Sequence, residues 1–583
     1  MSDQVRGIIF VALVVLVTFL WLRFFKPPTP PPQLGPEIHQ MAPSAGTAQP
    51  TATQASITAA PHVASIPVAQ AAAEKIITVE SPLYHIEVTN RGGVVRSWTL
   101  TEMDQRLHDY KYVDDQKPPR PLDLVNHDAA RELGWPFSLA LSDAQLEADA
   151  NSGLYEITTS GAAQQATANT ADTFTAPLTV TLHWSDSHLD VTKKLTFTDS
   201  YQTSAEVSAA LDGQPLACEI AWRGGFGDKA VYKASQLVSV FYQQGGSLTA
   251  LQYKKLGVSG NQIQAFHQPG AVDFAGIEDQ FFAAAFIPNG TDIYLSHWTQ
   301  WRHYTANNQQ MSDPVAEMAV GSAAPGPVKL RAYVGPKDLA LLGKVQPSLE
   351  GLVQFGWTGI IAKPMLFILQ WLHRYIPNYG WAIVIFTLAL TMVLLPIRVW
   401  TFHSMRKMQV VAPEMKAIQD RYRKYSMTDP RRQKMNEEIM ELYGRHGLSP
   451  WSQVSGCLPM LLQLPFLWAF YRMLAGAIEL RHAPWIFWIH DLSARDPYFV
   501  LPVAMAATTY LSTKMMPTPA GADPAQQRMM ALMPLMLGFF FLYLSSGLNL
   551  YYFTSNIVSV GQQYYLNRTQ PPPTRSKFKK KKQ

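Results

Sequence analysis

Three textures of hydrophobic and polar residues follow one another along the chain. The first is continuous. Residues 7–22, GIIFVALVVLVTFLWL, are apolar throughout, with Arg6 before them and Arg23 and Lys26 after. Such a run reads as an uncleaved membrane anchor or as the core of a cleaved signal peptide. The lack of a nearby small-x-small cleavage site favours an anchor over 1–26. The second texture has period two. Between about 75 and 345, YHIEVTN, VVRSWTL, LTVTLHW, LDVTKKLTFTD and TSAEVSAAL alternate apolar and polar residues, punctuated by Gly, Asp and Asn. Alternation places the apolar side chains on one face of a pleated strand, which predicts antiparallel strands in one large β-sandwich domain. The third texture returns to long apolar runs, near 379–397, 456–476, 497–514, 529–545 and 548–566. Each approaches the ~20 residues that cross a bilayer as a helix.

The segments between these textures have their own signatures. Residues 27–74 are rich in Pro, Ala, Thr and Gln, bury too little to fold and read as a linker. Within 346–378, FGWTGIIAKPMLFILQWLHRYI is apolar but broken by Lys363, Gln370, His373 and Arg374. It reads as an amphipathic helix at a membrane surface or as an extension of the next span. In 399–450, Met405, Met408, Val411, Met415, Ile418 and Tyr422 form one helical stripe, and Met435, Ile439, Leu442 and Tyr443 another. This predicts a helical hairpin with a Met-rich face. That face either packs on itself or offers an adaptable apolar surface to clients.

Composition agrees with a chain divided between membrane and water. Of 583 residues 47% are hydrophobic and 16% charged, against about a quarter charged in soluble proteins. Two cysteines exclude a disulfide scaffold. Charge gives the orientation. Eleven Lys and Arg, starting with Arg398, lie in 398–450, and the tail from 567 has seven and no acid. The positive-inside rule puts both in the cytoplasm. With six spans the N-terminus is then also cytoplasmic, and the β domain lies on the far side. On this reading Arg398 only marks the end of a span. The basic tail approaches ribosomal RNA or anionic lipid, or simply fixes topology.

Polar residues inside the spans are where function is sought. They include Thr387, Thr391, Gln463, Arg472, Thr508, Thr509, Asn549, Tyr551, Tyr552, Thr554, Ser555 and Asn556; no carboxylate lies mid-span. A small-molecule transporter, the alternative in a different class, would need such a carboxylate if proton-coupled, or a midplane ion site between inverted repeats. There is no P-loop, nucleophile elbow or metal-ligand spacing, so neither an enzyme nor a cofactor is expected. Each hydroxyl taken singly is explained by hydrogen bonding to backbone or to a neighbouring helix.

GCLPMLLQLPFLWAFYRML (456–474), ELRHAPWIFWIHDLSARDPYFVLP (479–502) and SSGLNLYYFTSNIVSVGQQYYLNR (545–568) resemble the YidC membrane protein insertase family, in its Gram-negative form. TNRGGVVRSWTL (89–100), EDQFFAAAFIPN (278–289) and AYVGPKDL (332–339) extend the resemblance over nearly the whole chain. It implies a multi-domain membrane protein: an α-helical bundle of six spans with a five-helix core, and a periplasmic all-β supersandwich. It implies insertion and folding of inner-membrane proteins, alone or with the Sec translocon (SecYEG and SecDF), without ATP. Clients, nascent membrane proteins, would enter through a hydrophilic groove open to cytoplasm and lipid, received by the hairpin over Met405, Met408, Met415 and Met435. Thr387 matches a groove hydroxyl, and Tyr551 and Tyr552 match a client-contacting aromatic pair. The family's groove arginine, five residues before Pro396, is replaced by Thr391. Arg472 is then expected to charge the closed end of the groove, to pair near the periplasmic face, or to reach outward to headgroups. Gln463 and Asn556 complete the expected groove.

Overall fold

The computed structural model describes residues 67–569, apart from 105–108, 162–171, 230–233, 257–264, 307, 423–424, 426–428, 447–457, 516–531, 533 and 537. For 306, 404, 409, 410, 432 and 458–463 it describes the backbone alone. The expected anchor, most of the linker and the tail from 570 lie outside the described residues.

The period-two segments form the strands that their alternation predicts. Leu178–Ser185, Leu189–Phe197 and Gln202–Leu211 run antiparallel in a ten-stranded sheet. Two five-stranded sheets accompany it: one contains Ile76–Glu80, Tyr84–Thr89 and Val94–Leu100, the other Tyr294–Ala306 and Gln309–Gly321. Aromatic rings join the layers. Phe137 packs on Trp98 of one small sheet (6.3 Å), on Trp222 of the other (6.0 Å) and on Phe286 of the large sheet (5.7 Å). The result is a β-sandwich whose core lies where the three sheets meet.

Lys193 and Glu317 are among the charged side chains that break the pattern, and each has a physical reason. Lys193 holds a core-facing position between Val191 and Leu195. Its Nζ donates to the carbonyls of Gly92 (2.8 Å), Gly93 (3.2 Å) and Phe137 (3.0 Å), so all three donors are used. Glu317, fully buried, accepts from Gly224 N (2.8 Å), Trp298 Nε1 (2.6 Å) and Gln300 Nε2 (2.9 Å). Burial pushes its carboxyl up to about 7. A raised carboxyl binds its proton more tightly in the folded state. The stabilisation is present below the unfolded value and is lost as pH rises through the folded one. The wild-type domain is therefore expected to lose roughly 3 kcal/mol of stability from this group between pH 4 and 8. Glu317→Gln is expected to remove that slope. Urea midpoints followed by tryptophan fluorescence at both pH values check it.

The C-terminal half is helical: α1 (Gly359–Tyr375), α2 (Tyr379–Val393), α3 (Leu395–Tyr422), α4 (Arg431–Arg445), α5 (Leu458–Gly476), α6 (Val500–Met515) and α7 (Ser546–Thr569). Residues 534–536 and 538–541 are also helical. Asn378 caps α2 by accepting from Trp381 N (3.1 Å). Among the described residues no single helix is long and apolar enough to cross a membrane. Tyr379–Val393 and Leu395–Met408 meet that measure together, bent by 48° at their junction. Pro396 explains the bend, because it lacks the N–H that would continue the ladder. On α1 one face is buried (Ala362, Met365, Leu366, Leu369) and the other exposes Ile360, Phe367, Ile368 and Trp371. Both readings of this segment have an apolar outer face, and the break at Ile376–Asn378 makes it a separate helix.

The two halves meet at a buried ion pair. Arg481, in the loop after α5, donates to Asp228 of the β domain from Nε (2.8 Å) and Nη2 (2.6 Å), and from Nη2 to the Val113 carbonyl (2.6 Å). The side chains are 3% and 2% exposed. Asp228 N donates in turn to Asp279, which also accepts from Phe281 N and Phe282 N. Beside them, Gln280 Nε2 donates to the Ala475 carbonyl at the end of α5 (2.9 Å).

Candidate groove between the helices

The hydroxyls of α2 stay within their own helix. Thr387 Oγ1 donates to the Ile383 carbonyl (2.7 Å), and Thr391 Oγ1 to those of Thr387 (2.8 Å) and Leu388 (2.9 Å). Both residues are buried. Such bonds to the preceding turn bend a helix slightly and leave the oxygen free to accept again.

Aromatic stacking sets the helices around them. Phe386 of α2 stacks on Phe470 of α5 (5.8 Å), which stacks on Tyr551 of α7 (4.2 Å, 23° between planes). Tyr551 is only 2% exposed. Tyr552 packs instead on Phe541 (5.1 Å). Asn556 donates to Thr509 Oγ1 (2.6 Å) and so ties α7 to α6. Asn549 closes the turn into α7 by donating to the carbonyls of Phe541, Leu544 and Ser545.

The charge in this region is Arg398. Its guanidinium donates to Ser559 Oγ and to Gln562 Oε1 (3.4 Å) on α7, and it lies within electrostatic reach of Tyr551 and Tyr552. One turn pair further along, Arg406 donates to Asn567 Oδ1 (2.9 Å). Ser559, Gln562 and Asn567 thus form a polar edge of α7 that receives both arginines. The sequence reading treated Arg398 as a topology marker. Spacing carries a signal: 387 and 391 are four apart and share a face of α2, and 398 follows seven residues later, just past the bend.

Arg472 goes elsewhere. It donates to the carbonyl of Gln354, in the segment joining the β domain to α1. The structure does not bring it to Thr391. Gln463 lies in α5 by its backbone.

In the hairpin, Met408, Val411, Met415 and Ile418 of α3 face Ile439, Leu442 and Tyr443 of α4. Tyr443 donates its hydroxyl proton to Met415 Sδ (3.0 Å). Met435 packs against this cluster and Met405 is half-buried. Truncating Met415 to alanine is expected to cost the hairpin about 2–5 kcal/mol. Faster amide exchange across Arg431–Arg445, with the β domain unchanged, measures it.

The assembled site is a set of polar side chains between packed helices, with the half-buried guanidinium of Arg398. It can hold polar or anionic groups by hydrogen bonds, and among the described residues no group of His, Cys, Asp and Glu is placed to hold a metal ion.

Residues 76–368 match the family model of the YidC periplasmic domain, and residues 371–573 that of the 60Kd inner membrane protein. The Membrane protein insertase YidC of Burkholderia multivorans is 30% identical over 577 residues, covering 97% of this chain and 98% of that protein. That of Wolinella succinogenes is 32% identical over 517 residues, 87% of this chain and 85% of the relative. A solved active YidC insertase covers 86% of this chain and 95% of its own, at 16% identity and a TM-score of 0.33. The chain belongs to the YidC membrane protein insertase family, an inner-membrane family with a periplasmic domain.

Proposed function

We propose that this chain inserts nascent membrane proteins through a groove lined by Thr387, Thr391, Gln463, Tyr551, Tyr552 and Asn556, with Arg398 as its charge. The observation that carries this reading is the seating of Arg398 against Ser559 and Gln562 of α7. Thr391 stands where the family resemblance expects arginine. Arg398 is seven residues on, past the bend between α2 and α3 and nearer the cytoplasmic end. Polar groups and unpaired backbone of a client cost several kcal/mol each in hydrocarbon. A groove carrying hydroxyls, amides and one cation part of the way into the bilayer lowers that barrier. The client's apolar segment then partitions into lipid, which drives the process without ATP.

The same reading assigns six spans, cytoplasmic termini, an interfacial α1 and a hairpin that receives clients after its Met-lined interior opens. It assigns partnership with the Sec translocon, SecYEG and SecDF, and contact of the basic tail with the ribosome or anionic lipid. The test is site-specific photocrosslinking from positions 387, 391 and 552 to a stalled nascent membrane protein. Adducts at these positions, and none from a probe at exposed Lys194 on the β domain, are expected. Absence of adducts at all three groove positions overturns the reading.

A further inference from the structure

The loop from Arg481 to Phe499 has two unlike sides. One holds the β domain through Arg481 and Asp228, with Leu480, Ile489 and Leu492 buried beneath it. The other presents rings to the outside. Phe487 is 81% exposed and Tyr498 70% exposed, and Phe499 is also exposed. Water does not favour such a display, and the loop is built to keep it. Asp496 accepts from Tyr498 N (3.0 Å), Leu501 N (2.7 Å) and Trp488 Nε1 (3.0 Å). Asp491 accepts from Ser493 N and Ala494 N. Phe487 lies on Trp488 at 5.9 Å, nearly parallel. Its backbone has φ +52° and that of Phe499 +57°. Left-handed backbone at a bulky residue is unfavourable and persists only where the surroundings fix it.

We propose that residues 485–499 are a lipid-embedded wedge, seated in the periplasmic leaflet at the boundary of headgroups and acyl chains, that moors the β domain to the bilayer. Three observations select lipid as the occupant. The patch is continuous with exposed apolar side chains at the starts of two helices, Val500 and Val503 of α6 and Trp381 of α2, the last edge-on to Trp485 (5.9 Å). Between Arg481 and Arg495 the loop contains no Lys or Arg, so the stretch around Phe487 suits the uncharged part of a bilayer rather than an anionic partner. Its exposed and half-buried residues include Trp485, Phe487, Trp488, Tyr498 and Phe499, and Trp and Tyr in particular settle at membrane interfaces because one end is apolar and the other polar. The loop is therefore a membrane element rather than a water-exposed connection, and Arg481 at its start transmits that anchorage to Asp228. The inference rests on the reading of α6 as a span.

The test places single nitroxide labels on the full chain, with Cys218 and Cys457 replaced by alanine, in vesicles of uncharged phosphatidylcholine. Labels go to Phe487→Cys, to Val503→Cys on α6 and to Lys194→Cys, exposed on the β domain. Collision with oxygen is expected to exceed collision with a water-soluble nickel chelate at 487 and 503, and the order to invert at 194. Nickel access at 487 with oxygen preference at 503 overturns the wedge and leaves the span intact, and assigns the patch to a protein partner. Nickel access at both positions overturns the span reading as well.

Discussion

Replacing Arg481 with alanine is expected to destabilise the junction between the β domain and the helices by about 3–5 kcal/mol, because it strands a buried carboxylate. Asp228 is almost inaccessible, and it accepts from both the Nε and the Nη2 of that arginine. The loss goes beyond one pair. Asp228 N is bonded to Asp279, whose other bonds hold Phe281 and Phe282, and Arg481 lies over the Phe282 ring (5.5 Å). The single variants Arg481→Ala and Asp228→Ala are each expected to expose the loop after α5 to protease while the β-sandwich keeps its protection. The double variant Arg481→Leu with Asp228→Leu is expected to be much milder, since it leaves no buried charge without a counterpart. A double-mutant cycle on the unfolding midpoint measures the coupling. A near-zero coupling energy would show that packing, not charge, joins the halves.

The second large effect concerns insertion. Arg398→Ala is expected to slow client insertion by about ten- to a hundred-fold, the equivalent of the 1.5–3 kcal/mol typical of hydrogen bonds to a charged group. Arg398→Lys is expected to recover part of it, because lysine keeps the charge but loses the fork that reaches Ser559 and Gln562. Thr391→Arg in the Arg398→Ala background is expected to restore insertion, by returning the charge to the position where the family resemblance places it. Thr391 is seven residues before Arg398, and its side chain is buried. The assay is protease protection of a small membrane protein made in the presence of vesicles carrying each variant. Wild-type rates for Arg398→Ala would remove this residue from the groove. Arg472→Ala is expected to leave the insertion rate unchanged, since its guanidinium is engaged by the Gln354 carbonyl.

Much of this protein is legible in local periodicity. Alternation in LDVTKKLTF and TSAEVSAAL dictates strands, because a two-residue period has one pleated solution that buries an apolar face. The Met stripes of 405–422 and 435–443 dictate a hairpin, and the stripes pack on each other because each is the nearest apolar surface to the other. Apolar runs locate α2, α5, α6 and α7 within a few residues. Family membership follows from long co-linear segments, and the comparisons bear it out.

What periodicity could not reach was decided by contacts distant in sequence. Lys193 looks like a misplaced charge until three carbonyls from Gly92, Gly93 and Phe137 surround it. Arg481 and Asp228 are 253 residues apart, and nothing local to either marks the other. Arg398 stands at the head of a basic segment, where counting charges makes it ordinary. Only the packing of α3 on α7, 161 residues later, gives it Ser559 and turns it inward. The sequence determines which segments are strands and helices, because those depend on neighbours within a turn or a pleat. Tertiary structure decides which charges are buried and against what, because desolvation and pairing depend on partners that the chain brings together only when it folds.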